Sequence, residues 1–301
     1  MAMIDNIEDW GKSSSHYQIT PSHNSVLVGS PLKFDILAAH NKHMKNEDGS
    51  LKSIDLVRAQ AQWEAMCEEF KKAGLKVSAL KAKEGLPDLC FTANPSFIVP
   101  HKKEVWIGKM RHNSRQKETE LHKAFFQKQR FRIRELSNSS ICFEGHGDGL
   151  WHPHRLLLHT GNGERTEKEA WNEISRSYPE LDILNYNLCH PDFYHLDTAL
   201  ACLSESTALI VPFAFDKKGL EIIKKAFPNY IELNEEESYN FAGNAFCPDG
   251  KHVFIQKGTK RLTKKLTKQG FKVVPIETEQ FLLSGGSVFC LKQSYYLEQE
   301  Q

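Results

Sequence analysis

Cys290 follows the stretch Ser284-Gly-Gly-Ser-Val-Phe289. Glycines there let the backbone approach a ligand closely and leave amide donors around a thiol. Read alone, Cys290 is either a buried strand cysteine or a nucleophile. A thiol with an ordinary pKa of about 8.5 needs a partner to ionise at neutral pH. His195, in Phe193-Tyr-His-Leu-Asp-Thr198, is a group that can supply one. A strand at this point would put His195 and Asp197 on one face, because strand side chains alternate. The other reading is a core histidine beside a surface aspartate. Glu144 and Asp148 flank Gly145-His-Gly147; two carboxylates beside flexible backbone suit a cation better than an anion. The sequence does not say whether the bulk of His146 narrows a pocket there. Gly161-Asn-Gly163-Glu-Arg165 reads as a turn capping the helix that follows. His152, His154 and His159 lie close together but match no zinc spacing. The seven cysteines, at 67, 90, 142, 189, 202, 247 and 290, contain no CxxC pair. They read mostly as small buried hydrophobes, with neither a disulfide framework nor a metal centre expected.

These residues recur at an interval. Asp88, Glu144, His195, Asn244 and Cys290 each open or interrupt an apolar run, and their spacings are 56, 51, 49 and 46 residues. Helical stretches fall between them, at about 115–126, 164–175, 217–226 and 259–269. An earlier one at 54–73, with Leu56, Ala59, Trp63, Met66 and Phe70 at helical spacing, ends at Gly74. Short strands are expected in Ser25-Val-Leu-Val-Gly-Ser-Pro31, stopped by its turn residues, and at 76–80. A period near fifty residues points to a strand–strand–helix–strand module repeated about an axis. If each unit sends its polar opening to the same end, Asp, Glu, His, Asn and Cys meet in one cleft. Residues 257–272, rich in lysine with Leu262 and Leu266 at i, i+4, read as a helix with a solvated face.

Composition narrows the partners. Lys plus Arg total 39 against 38 Asp plus Glu, for a formal net charge of +1. That balance offers no basic field for nucleic acid. The apolar run at 208–215 is interrupted by Pro212 and is too short to span a bilayer. Asp5, Glu8 and Asp9 are wrong for a secretory signal, so a cytosolic protein is expected. No linker divides the chain, which is expected to form one α/β domain over 1–301 with residues 1–24 as a loose leading segment. A small molecule is the expected partner, and homo-oligomerisation is left open.

Together and in this order, six motifs resemble the pentein superfamily of guanidine-modifying enzymes. They are Pro87-Asp-Leu-Cys-Phe-Thr-Ala-Asn94, Phe143-Glu-Gly-His-Gly-Asp148, Gly163-Glu-Arg165, Phe193-Tyr-His-Leu-Asp-Thr198, Asn244-Ala and Gly285-Gly-Ser-Val-Phe-Cys-Leu291. The resemblance runs from Val26 to Leu291 and is nearest to the arginine dihydrolases and dimethylarginine dimethylaminohydrolases. It implies a five-bladed α/β propeller of ββαβ units. It implies Cys290 as nucleophile, His195 as acid/base and Glu144 as the carboxylate that orients the histidine. It places Asp197 on the guanidinium; methylarginine hydrolases generally lack an acid there, which argues for an unmethylated substrate. Arg165, helped by Arg111 or Arg115, matches the group that takes the substrate carboxylate, and Asp88, Asp148 and Asn244 fall among the binding positions. Asn94 departs from the aspartate of deiminases and is similar to the dihydrolase pattern. The implied activity is cofactor-free hydrolysis of guanidino or ureido C–N bonds in arginine or citrulline through a thiouronium-type intermediate. An amidinotransferase, a methylarginine hydrolase and a non-catalytic propeller are the alternatives.

Overall fold

The computed structural model describes residues 3–298, which form five small sheets. In the second, Ser96–Val99 lies antiparallel to Glu104–Ile107, which runs parallel to Arg132–Arg134. The third repeats this with Gly149–Trp151, Leu157–Asn162 and Asp182–Asn187. The fourth repeats it with Leu200–Cys202, Ala208–Ile210 and Ile231–Glu232. In the fifth, His252–Gln256 runs parallel to Lys272–Ile276, and Phe246 makes an antiparallel bridge to Phe254. The first sheet pairs Ser25–Gly29 in parallel with Lys76–Leu80, and takes its antiparallel strand, Gln293–Tyr295, from the far end of the chain. A parallel pair cannot be closed by a tight turn and needs a crossover. The crossovers are the helices Leu56–Lys72, Glu118–Lys128, Lys168–Ser177, Lys217–Ala226 and Lys260–Lys268.

Local sequence explains most helix ends. Asp55 accepts hydrogen bonds from the amides of Val57 and Arg58, both at 3.0 Å, satisfying two orphan donors of the first turn. Ala59, Met66 and Phe70 bury one face, and Gly74 at φ +88° turns the chain away. Leu262 and Leu266 are the buried residues of Lys260–Lys268, whose lysines face out as expected. Two starts are later than expected. Asn113–Arg115 form a 3₁₀ turn, so the second helix begins at Glu118. Residues 161–162 finish a strand and 163–166 form a loop closed by Gly163 N–H to Thr166 O at 3.0 Å. That loop does not cap the following helix, which lacks a side-chain cap.

The described part of the leading segment is not loose. Met3–Ile4 extend the third sheet beside Asp182–Asn187. Trp10 is 1% exposed and donates to Tyr17 Oη at 2.9 Å, which donates onward to Asp182 at 2.9 Å. Composition misread this stretch because its few apolar residues lack periodicity, yet Ile4, Trp10 and Tyr17 are buried in the core. The core lies between helices and sheets; around Trp171, Phe143 and Phe97 pack edge-on at 5.1 and 5.4 Å. Burial of such rings stabilises by roughly 2–3 kcal/mol each. No helix among the described residues is long and apolar enough to cross a membrane.

Candidate active site

Each polar opening stands just ahead of the first strand of its unit, so the like-directed units bring their openings to one end. There Asp88, Asn94, Arg115, Arg165, His195 and Cys290 line a cavity of about 360 Å³.

Cys290 is 4% exposed. Its Sγ lies 3.3 Å from Asp197 Oδ2 and 3.2 Å from Asn244 Nδ2. The expected free amides around the thiol are taken: Asn244 Oδ1 accepts from the backbone N–H of Ser287, Phe289 and Cys290 at 3.0–3.2 Å. Asn244 therefore braces the cysteine loop from behind and does not line the cavity, contrary to its expected place among the substrate contacts. Burial, with Asp197 beside it, pushes the Cys290 thiol well above the ordinary range.

His195 is not on a strand. It precedes the single helical turn Leu196–Ala199, where residues two apart diverge instead of sharing a face. His195 Nε2 meets Glu144 Oε2 at 2.8 Å while Asp197 turns to Cys290. Burial pushes the Asp197 carboxyl up to about 7, and its Oδ1 is buried with no hydrogen-bond partner. Glu144 is wholly buried; burial opposes its charge, but the His195 hydrogen bond and the nearby Arg165 and Arg115 hold it well below the carboxylate range. Its Oε1 accepts the Arg111 amide at 2.9 Å.

The Gly145–Asp148 turn explains its glycines. Gly145 has φ +50°, and a Cβ there would stand 2.2 Å from Ser96 O. One on Gly147 would stand 2.5 Å from Asn94 Nδ2. These glycines allow close packing of Asn94 and His195; they do not cradle a ligand. Asp148 is enclosed, accepting from Thr166 Oγ1 at 2.6 Å and from Leu196 N–H at 2.9 Å. Burial pushes it up to about 6. It fixes the turn bearing His195 and, against expectation, does not line the cavity. His146 points away from the Cys290 cavity and does not narrow it.

The arginines divide. Arg165 is 3% exposed, donates to His40 O at 2.8 Å and sits 4.5 Å from the Tyr194 ring centre, while its Nε makes no hydrogen bond. Arg115 is buried and largely committed: Nε and Nη2 hold Glu118, Nη2 also reaches Phe91 O, and Nη1 donates to Asn94 Oδ1 at 3.0 Å. Arg111 is exposed, its guanidinium 3.9 Å from Cys142 Sγ, and only its backbone serves the site. The surface position of its side chain corrects the expected substrate contact.

Sequence reading missed His40, Asn41, Met44, Tyr194 and Ser284, which also line the cavity. The first three come from residues 30–55, a stretch without periodicity or motif. Of the other cysteines, Cys67 and Cys90 are buried, Cys189 is exposed, and 142, 202 and 247 are intermediate, so fewer are core residues than composition suggested. His152 and His159 share a hydrogen bond at 3.0 Å and stack. No metal-binding cluster of His, Cys, Asp or Glu occurs among the described residues.

A buried thiol beside a carboxylate, and a carboxylate-paired histidine at a small polar cavity, define a hydrolase of the guanidine-modifying pentein class, acting on arginine-like guanidino compounds. More narrowly, the chain belongs to the family described as N,N dimethylarginine dimethylhydrolase, eukaryotic, whose model matches residues 30–296. It is 32% identical over 96% of its length to N(G),N(G)-dimethylarginine dimethylaminohydrolase of Mycobacterium tuberculosis, covering 91% of that protein. It is 30% identical over 88% of its length to the bifunctional arginine dihydrolase/ornithine cyclodeaminase ArgZ of Synechocystis, spanning 37% of that longer protein. The solved N-terminal domain of ArgZ, a cysteine-to-serine mutant bound to substrate, superposes with a TM-score of 0.84 at 29% identity, covering 90% of this chain and 97% of that one.

Proposed function

We propose that this protein hydrolyses the C–N bonds of an unmethylated arginine-like amino acid, arginine or citrulline, through a covalent thiouronium-type intermediate on Cys290. We infer also that the five sheets are the blades of one closed propeller, with the cavity on its axis. The observation that carries the substrate reading is a pair of buried unsatisfied groups: Asn94 Nδ2, a donor on a residue that lines the cavity, and Asp197 Oδ1, an acceptor on the carboxylate beside Cys290. Arg115 sets the polarity of Asn94 by donating to its Oδ1. A ureido group carries a carbonyl oxygen for the first and an N–H for the second. A guanidinium offers only donors, so holding it requires the Asn94 amide to turn over. The likeness to the ArgZ dihydrolase domain supports the same reading.

In this mechanism the guanidinium enters beside Asp197 and its charge lowers the proton affinity of the Cys290 thiol. The thiolate attacks the central carbon. His195, held by Glu144, protonates the departing nitrogen, and ammonia leaves as the C–S bond remains. His195 then takes a proton from water, whose oxygen attacks the same carbon and expels Cys290, giving citrulline. A second round on the ureido carbon yields ammonia, carbon dioxide and the free amine. Arg165, whose Nε makes no hydrogen bond and pairs with Glu164 only at 3.9 Å, takes the α-carboxylate.

A second reading, dimethylarginine hydrolysis, is favoured by the likeness to the mycobacterial protein. Incubation with arginine, citrulline and dimethylarginine, with products measured by mass spectrometry, separates the two. The expected wild-type products from arginine are citrulline and then ornithine with ammonia. Asn94→Asp should stop at citrulline, since a buried carboxylate facing the ureido oxygen costs about 3 kcal/mol or more. Dimethylamine release with arginine and citrulline left intact would establish the second reading instead.

A further inference from the structure

The strands Ser96–Val99, Gly149–Trp151, Leu200–Cys202 and Gln293–Tyr295 all begin beside the Cys290 cavity and run away from it. At or just past their far ends, Pro100, Trp151, Cys202 and Ser294 line a second cavity of about 710 Å³, counted with its open mouth. Trp151, Phe246 and Phe289 give it apolar walls. Its polar groups are unusual. His146 is 2% exposed, and neither of its ring nitrogens completes a hydrogen bond. His23, whose ring centre is 6.3 Å away, has an unpartnered Nδ1. Lys292 is wholly buried with no hydrogen bond to Nζ, which lies 2.9 Å from the Phe289 ring centre and 4.5 Å from that of Phe246. The lysine thus sits behind two rings that wall the cavity. The neighbouring His152 and His154 are satisfied, by His159 with the Glu205 carbonyl, and by Ser22.

Buried polar groups in a folded protein normally find partners. Here His146 and His23 bring unbonded ring nitrogens to an apolar hollow, and Lys292, without a hydrogen bond, stands behind its aromatic wall. Burial, with Lys292 close by, pushes His23 down to about 3 and holds His146 well below the imidazole range; Lys292 itself is held well below the lysine range by burial. An anion placed among them would reverse that bias and draw protons onto them. Phosphate would satisfy the nitrogens but would leave the aromatic walls unused.

We propose that this second cavity binds a small carboxylic acid with an apolar body, its carboxylate accepting from His23 and His146 with the Lys292 charge behind the Phe289 and Phe246 rings, and its body against Trp151 and Phe246. The site is separate from Arg165, which lines the Cys290 cavity, and does not depend on the reaction proposed above.

The test uses the full chain with benzoate as probe, benzamide as its uncharged counterpart and inorganic phosphate as the bare anion. The NMR signal of the Trp151 indole N–H, assigned by its loss in Trp151→Phe, reports occupancy. Benzoate should shift it saturably and benzamide should not. His23→Gln and Lys292→Met should each weaken benzoate at least tenfold, whereas Arg165→Ala should leave its affinity unchanged. Calorimetry in two buffers of different ionisation enthalpy should show proton uptake. Should Lys292→Met fail to fold, the partly exposed His23→Gln decides alone. No saturable shift, equal binding of benzamide, tighter binding of phosphate, or unchanged affinity in the folded variants would overturn the proposal.

Discussion

At the scale of single residues, the centre separates two tasks that the sequence places side by side. Glu144 stays charged and holds His195, while Asp197 shares the neighbourhood of Cys290 and leaves one oxygen free. Cys290→Ser should reduce turnover by a thousandfold or more with the melting temperature little changed, because a serine hydroxyl barely ionises; near wild-type turnover would remove Cys290 from the chemistry. Asp197 carries a pH signature. Burial raises its carboxyl from 3.8 to about 7. The folded protein therefore keeps a proton that the unfolded chain releases, so this group's stabilisation is present below pH 3.8 and lost as pH rises through 7. Asp197→Asn abolishes that loss. Between pH 5 and 8 its urea-unfolding stability should move in its favour against wild type by about 2–3 kcal/mol. Turnover should meanwhile fall at least a hundredfold. A stability difference flat across that range would show that Asp197 does not titrate there.

At the scale of elements, short turns aim side chains more than helices and strands do. The turns Gly145–Asp148 and Leu196–Ala199 interlock through Asp148 and Leu196 N–H, and so fix where Glu144 and His195 meet. From residues 30–55, His40, Asn41 and Met44 line the same cavity, and side chains of the segment tie it to the site's walls. Asn41 Nδ2 donates to Tyr194 Oη at 3.2 Å and to Ser284 O at 3.1 Å, and His43 Nε2 donates to Asp192 O at 3.2 Å. Asn41→Ala removes two of these ties, each worth about 1 kcal/mol. It should raise KM about tenfold with kcat nearly unchanged, as expected when only ground-state positioning is lost. A matching fall in kcat would place Asn41 in the chemical step.

At the scale of the whole molecule, strands more than two hundred and fifty residues apart join in one sheet. Gln293–Tyr295 supplies the antiparallel strand of the first sheet, only three residues after Cys290. Tyr295 is fully buried, with Phe126 and Phe125 edge-on at 5.5 and 5.9 Å. Tyr295→Ala should lower unfolding stability by about 3 kcal/mol or more, seen as a reduced urea midpoint. It should also reduce activity per folded molecule, because the strand anchors the nucleophile. A stability loss below 1 kcal/mol would mean that this closure contributes little.

The fifty-residue interval was legible because each unit carries a polar opening, an apolar run and an amphipathic helix, all local signals. That periodicity, with the motif at Cys290, brought Asp88, Glu144, His195, Asn244 and Cys290 together on paper; the fold gathers them too, but sets Asn244 behind the cysteine loop and away from the cavity lining. What local pattern could not resolve was direction within a turn. Period-two alternation put His195 and Asp197 on one strand face, but a helical turn splits them between Glu144 and Cys290. Asp148 and Asn244 carry the right chemistry in the right register, yet their hydrogen bonds go to Leu196 N–H and the 287–290 backbone, partners distant in sequence. Arg111 and Arg115 are four residues apart; only the packing of Glu118 and Asn94 draws Arg115 inward and leaves the Arg111 side chain at the surface. The sequence determined which groups exist and at what interval, through covalent spacing and hydrophobic period. Which way each points was decided by tertiary structure, because orientation depends on partners that only folding brings within hydrogen-bonding distance.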